Sequence, residues 1–124
     1  MKPILLGRYT IFCNTFRVYV DPGDESSHAM FGWSDAGFVN VTIGIRGLTW
    51  NRVVASTLHE VMEVGMRLNK NCLEPVCGLN RYDTGRFRFL MDHDQYTEVV
   101  QEVGDVLAFL LPDLAKVYNK VTKK

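Results

Sequence analysis

The run from Thr49 to Leu68 constrains this chain more than any other, because its apolar residues recur at helical spacing around most of the circumference. At about 100° per residue, Val53, Val54, Leu58, Val61, Met62, Val64 and Met66 sweep an arc of roughly 220°. A helix apolar over so wide an arc has to be covered on most sides, so the spacing predicts a central helix with other elements packed around it. Thr49 is a capping residue and Asn69-Lys70-Asn71 is a polar stop, which sets the two ends. The remaining narrow stripe carries Arg52, Ser56, His59, Glu60, Glu63 and Arg67.

The upstream third supplies strands to cover that helix. Phe16-Arg17-Val18-Tyr19-Val20 alternates, and Val39 to Ile45 places a branched aliphatic at every second position, the pattern of strands with one face on a core. Between them DPGDESSH, Asp21 to His28, is dense in turn formers, and Met30-Phe31-Gly32-Trp33 reads as a strand or hairpin with a turn at Ser34 to Gly37. The acidic loop with His28 could bind a cation, but irregularly spaced carboxylates define no coordination geometry, and a solvated loop is the expectation.

Downstream, Glu74-Pro75, Cys77-Gly78 and Asp83-Thr84-Gly85 punctuate a long connection that ends in the alternating stretch Arg86 to Met91, an edge-strand pattern. Lys70 to Gly85 has no apolar periodicity and is expected to be the most protease-sensitive region. A second helix opens around Asp92 to Asp94, with Tyr96, Val99, Val100, Val103, Val106, Leu107 and Leu110 inside roughly 120°, a one-sided packing helix. Glu98, Glu102 and Asp105 lie opposite that stripe and read as a solvated face. Pro112 is expected to start or kink a last helical turn, leaving Lys116 to Lys124 as a frayed, basic end. The expected fold is α+β: a small antiparallel sheet packed on a central helix and a C-terminal amphipathic helix, in one domain spanning residues 1–124.

Composition narrows the partners. Lys plus Arg and Asp plus Glu both number 14, so no global field attracts nucleic acid, although Arg81, Arg86 and Arg88 form a local basic cluster. No apolar run approaches a membrane span and no signal segment follows Met1, which makes the cytoplasm the expected compartment. Cys13, Cys72 and Cys77 are an odd number without zinc-knuckle spacing and read as thiols.

The chemistry concentrates in Thr57-Leu58-His59-Glu60-Val61-Met62-Glu63. His59 and Glu63 are one turn apart, about 40° around the axis, so their side chains project together and can grip one ion. Glu60 is displaced by roughly 100° from His59, off the metal and in reach of a water, as in the His-Glu-x-x-His metallopeptidases, where that Glu accepts the water's proton. The best third ligand is His93, at the mouth of the second helix and about 60° from its first apolar residue. Asp92 and Asp94 are substitutes or hydrogen-bond acceptors for an imidazole. Two histidines and one carboxylate suit a catalytic zinc, and equally iron or manganese. The bland alternative is a polar stripe facing water plus a histidine at a helix end.

The order of parts, with Gly32 and Asp35 ahead of the aliphatic strand, Leu58-His59-Glu60 in the helix and His93-Asp94 opening the last helix, resembles the small zincin-like proteins encoded by bacteriophages and prophages. The resemblance spans roughly Phe16 to Leu111, and Glu63 stands where the peptidase motif has its second histidine. It implies a minimal zincin-like fold, a metal site of His59, Glu63 and His93, and Glu60 as general base. Two functions from different classes follow. One is metal-assisted hydrolysis of a peptide or protein substrate paired with a strand edge, with Arg86 to Phe89 the candidate edge and Tyr82 a candidate donor. The other is a binding module that contacts a host protein through Arg81, Tyr82, Arg86 and Arg88, with a structural or vestigial metal.

Overall fold

The computed structural model describes residues 2–31, 39–68 and 92–123. Strands β1 (Ile4–Ile11), β2 (Asn14–Asp21), β3 (His28–Phe31) and β4 (Val39–Gly44) form one sheet in the order β1-β2-β4-β3, and helices α1 (Trp50–Leu68) and α2 (His93–Thr122) follow. The class is α+β. The sheet is mixed, where an antiparallel one was expected: β1–β2 and β3–β4 are antiparallel, but β2 and β4 run parallel, with Phe16 opposite Val39 and Val20 opposite Ile43. Burial accounts for this. Phe16, Val18, Val20, Val41 and Ile43 are fully buried, so the two most apolar strands take the centre and the short β3 goes to the edge.

β1 is an element the alternation did not single out. It joins β2 through Phe12 and Cys13, both at positive φ (47° and 62°), the hairpin conformation usually taken by Asn-Gly. Two side chains hold this turn: Asn14 Nδ2 donates to the Phe12 carbonyl at 2.7 Å, and the Phe12 N–H donates to Glu102 Oε1 at 2.9 Å. Glu102 is therefore half-buried against the hairpin, while Glu98 and Asp105 are exposed as expected.

α1 begins as predicted, with Thr49 Oγ1 accepting from the Arg52 N–H. It is not surrounded. Its buried residues, Val53, Thr57, Glu60, Val61, Val64 and Gly65, occupy about 140° of the circumference, while Leu58 is 44% exposed. α2 opens on Asp92, whose carboxylate accepts from the Gln95 N–H at 2.8 Å while Gln95 Oε1 accepts from the Asp92 N–H, a complete capping box.

α2 then runs unbroken through Pro112 to Thr122, instead of restarting at the proline with a frayed end. An interior proline costs about 3 kcal/mol. The segment beyond it is tied down: Leu114 is fully buried, Tyr118 donates to the Leu48 carbonyl at 2.8 Å, and its ring lies 5.4 Å from Trp50. Among the described residues no helix is long and apolar enough to cross a membrane.

The turn before β3 is built from the acidic loop. Asp21 Oδ1 accepts from the Gly23 N–H at 2.9 Å, and Asp24 Oδ1 accepts from the Ser26 N–H and Oγ, each at 3.1 Å. Ser27 Oγ accepts from the Gly44 N–H at 3.1 Å, and Arg46 N–H donates to the Asp24 carbonyl at 2.9 Å. Gly44 has to be glycine here, because a Cβ would stand 2.7 Å from the Asp24 carbonyl oxygen and closer still to that of Ser26. These bonds fix the start of β3 against the end of β4.

Candidate metal centre

His59, Glu60 and Glu63 place ligand atoms within 4.8 Å of one another. His59 Nε2 lies 3.8 Å from Glu63 Oε2, the pairing expected one turn apart, and Glu63 Oε1 lies 3.3 Å from Arg67 Nη2. The His59 side chain is 73% exposed and that of Glu63 28%. A ladder of His59, Glu63 and Arg67 could stand on a helix surface without any ion, at little energetic consequence.

Glu60 does not belong to that ladder. The helical wheel put it in the polar stripe, but it lies at the rim of the buried arc, beside Val53 and Val64, and is only 6% exposed. Among the described residues its carboxylate makes no hydrogen bond and no ion pair. Burial pushes its pKa up and the Glu63 carboxylate adds to the rise, while the imidazoles of His59 and His28 oppose it. The residue is buried through most of its side chain, while its carboxylate keeps contact with solvent at an open concavity.

A concavity of about 350 Å³ opens over this carboxylate, lined by Ser27, Ala55, Ser56, His59 and Glu60. Ser27 comes from the turn before β3 and the others from α1. The donor set of one imidazole and two carboxylates fits a divalent ion of the zinc, manganese or iron type, with Glu60 standing either in the ligand shell or beside it.

His93 is not part of this group. It is exposed in the first turn of α2, as are Asp92 and Asp94. Gly65 of α1 faces Val99 and Val103, whose methyls would lie 3.4 and 3.2 Å from a Cβ there, and Leu58 shares a groove with Gly104 and Leu107, so the helices run antiparallel. His59 and His93 lie on opposite sides of that crossing, separated by on the order of 20 Å along the axes at about 1.5 Å per residue. Spacing within one helix located the His59–Glu63 pair. The relation between two helices joined by a long connection was not available to it.

The sequence allows the acidic loop with His28 as a cation site and favours a solvated loop; it does not single out Ser27, which lines the concavity, since nothing local marks a serine in a turn as facing a helix. Arg81, Tyr82, Arg86 and Arg88, the strand expected at Arg86 to Met91, Cys72, Cys77, Trp33, and the Gly32 and Asp35 of the resemblance all lie outside the described residues. Cys13 is a free, exposed thiol. The chain matches no protein-family profile, no curated protein and no solved structure, so its function is argued from the site.

Proposed function

We propose that this protein binds a divalent metal ion at His59 and Glu63 and that Glu60 serves as the general base of a hydrolase-type site, most naturally for a peptide or protein substrate. One observation carries the reading: Glu60, buried and without a hydrogen bond or ion pair among the described residues, lines a concavity together with His59, which pairs with Glu63 one turn on. When bound, zinc, or iron or manganese in its place, would supply Lewis-acid polarisation of a carbonyl group. The chain's own residues supply the rest. His59 and Glu63 hold the cation, Ser27 and Ser56 offer hydroxyls to a polar substrate group, and Glu60 takes a proton at its carboxylate. Its raised pKa brings it closer to working pH, where a base is most effective. The resemblance to small phage and prophage zincin-like proteins, carried in this helix by Leu58-His59-Glu60, would put such an activity in the cytoplasm of a bacterial host.

The test pairs metal content with turnover. Glu60→Gln keeps shape and removes the proton acceptor, so it should retain the metal and lose at least about 100-fold in hydrolysis of a peptide pool. A chain that takes up no divalent ion would overturn the reading, as would a metal-loaded Glu60→Gln of undiminished activity.

A second reading has its own observation. Leu58, Tyr96 and Val100 are 44%, 52% and 43% exposed around one groove between α1 and α2, an apolar surface of the kind that marks protein contacts. A non-enzymatic contact with a host protein would survive metal removal, whereas hydrolysis would stop.

A further inference from the structure

We propose that the outer edge of β1 accepts an extended peptide segment as a fifth strand, with a lysine or arginine side chain of that peptide lying over Phe109 between Asp105 and Asp113. This surface is at the opposite edge of the sheet from β3 and does not depend on the metal reading above.

The hairpin fixes which main-chain groups β1 leaves open. Ile11 and Asn14 flank the Phe12-Cys13 turn, so they and the pairs Tyr9–Phe16 and Gly7–Val18 exchange hydrogen bonds, while Arg8 and Thr10 face Arg17 and Thr15 at the non-hydrogen-bonded positions. The N–H and C=O groups of Arg8 and Thr10 therefore point away from β2, and among the described residues no strand meets them. The Phe12 N–H is next in the same outward series, and it takes a carboxylate oxygen of α2, Glu102 Oε1, at 2.9 Å. A register shift between Leu5 and Gly7 ends the regular edge, which leaves Arg8 and Thr10 as the pairing segment.

Beside that edge lies a concavity of about 420 Å³, lined by Arg8, Tyr9 and Thr10 of β1 and by Asp105, Phe109 and Asp113 of α2. The three α2 residues recur every four positions and form one stripe. Asp113 is set in place by the buried Tyr9, whose hydroxyl donates to Oδ2 at 2.8 Å. Neither Arg8 nor Lys116 pairs with Asp105 or Asp113 among the described residues, so neither charge is neutralised from within the chain. Phe109, between them, is 73% exposed, the highest value among the described large apolar side chains.

Together these features select the occupant. Side chains of an added strand alternate between the two faces of the sheet, so the peptide residue opposite Tyr9 is carried over the concavity. A guanidinium or ammonium there meets two carboxylates and the face of a phenyl ring, while its aliphatic stem covers Phe109. A second copy of this chain fits poorly, because a symmetric pairing of two β1 edges would bring a second Asp105 and Asp113 toward the first.

Nuclear magnetic resonance titration of the full isotope-labelled chain would test this. The probes are short peptide pools of β-branched residues with a central Arg, with a central Glu, or with a central Arg whose two flanking amides are N-methylated. The Arg pool should shift the Arg8 and Thr10 amides, leave those of His59 and Glu63 in place, and bind at least about tenfold tighter than the Glu pool. N-methylation should abolish binding, since the flanking residues supply the strand pairing. Phe109→Ala, and Asp105→Asn combined with Asp113→Asn, should each weaken the Arg pool by about threefold. Thr10→Pro removes an outward N–H and no bond to β2, so it should weaken binding with far-UV circular dichroism unchanged. If Thr10→Pro fails to fold, the N-methylated pool still decides the strand pairing. No shift at Arg8 and Thr10 with about 1 mM Arg pool would overturn the assignment, as would equal binding of the Glu or the N-methylated pool. Concentration-dependent dimerisation of the parent in sedimentation, with line broadening at Arg8 and Thr10, would give the edge to a second copy and overturn the peptide.

Discussion

Glu60 is the residue at which a helical wheel and the folded chain part company. Around the axis it borders both the polar stripe and the buried face, and one turn of the wheel cannot say on which side the carboxylate ends; packing against the sheet decides that. Its folded-state pKa lies above the ordinary value, chiefly through burial, so between those two values the folded chain binds more protons than the unfolded one. The stability Glu60 allows is therefore fully present at low pH and falls as pH rises through that window. Metal-free Glu60→Gln should melt above the parent at pH 7, with the gap closing toward pH 4 as the carboxylate protonates in both states. Calorimetry in the presence of a chelator measures this, and a gap that did not vary with pH would mean the carboxylate is solvated.

At the scale of elements, two glycines on the facing helices make opposite predictions. At Gly65 a Cβ would meet Ile11 Cδ1 and Val103 Cγ2, both at 3.2 Å, so this residue sets how closely α1 approaches α2 and β1. Gly65→Val should destabilise by about 1–3 kcal/mol through overpacking. At Gly104 nothing lies within 4 Å of a Cβ, and Gly104→Ala should stabilise by about 0.5–1 kcal/mol from helix propensity alone. Denaturant melts of the two variants would check both signs. Helix starts were legible in the sequence because caps are local: Thr49 and Asp92 both act where their side-chain chemistry says. The end of α2 was not, since Leu114 and Tyr118 hold the helix past Pro112 through contacts with residues far away in the chain.

For the whole molecule, a site whose donors come together only on folded α1 would tie metal binding to the folded state. Zn²⁺ at one hundred times its dissociation constant should then raise the unfolding free energy by about 2.7 kcal/mol, and His59→Ala should abolish the effect. A thermal shift retained in His59→Ala would place the ion elsewhere. Local periodicity determined the α+β class, the two central strands, both helix starts and the His59–Glu63 pair, because each depends on neighbours within one turn or one pleat. The parallel pairing of β2 with β4 was decided by which strands were apolar enough to occupy the centre of the sheet. The distance from His59 to His93 was decided by an antiparallel crossing of α1 and α2 that no single helix encodes. The burial of Glu60 and the approach of Ser27 arise only where the strand turn comes up beside α1, since a residue on the border of a helix's polar stripe is covered or left exposed by whichever second element packs there.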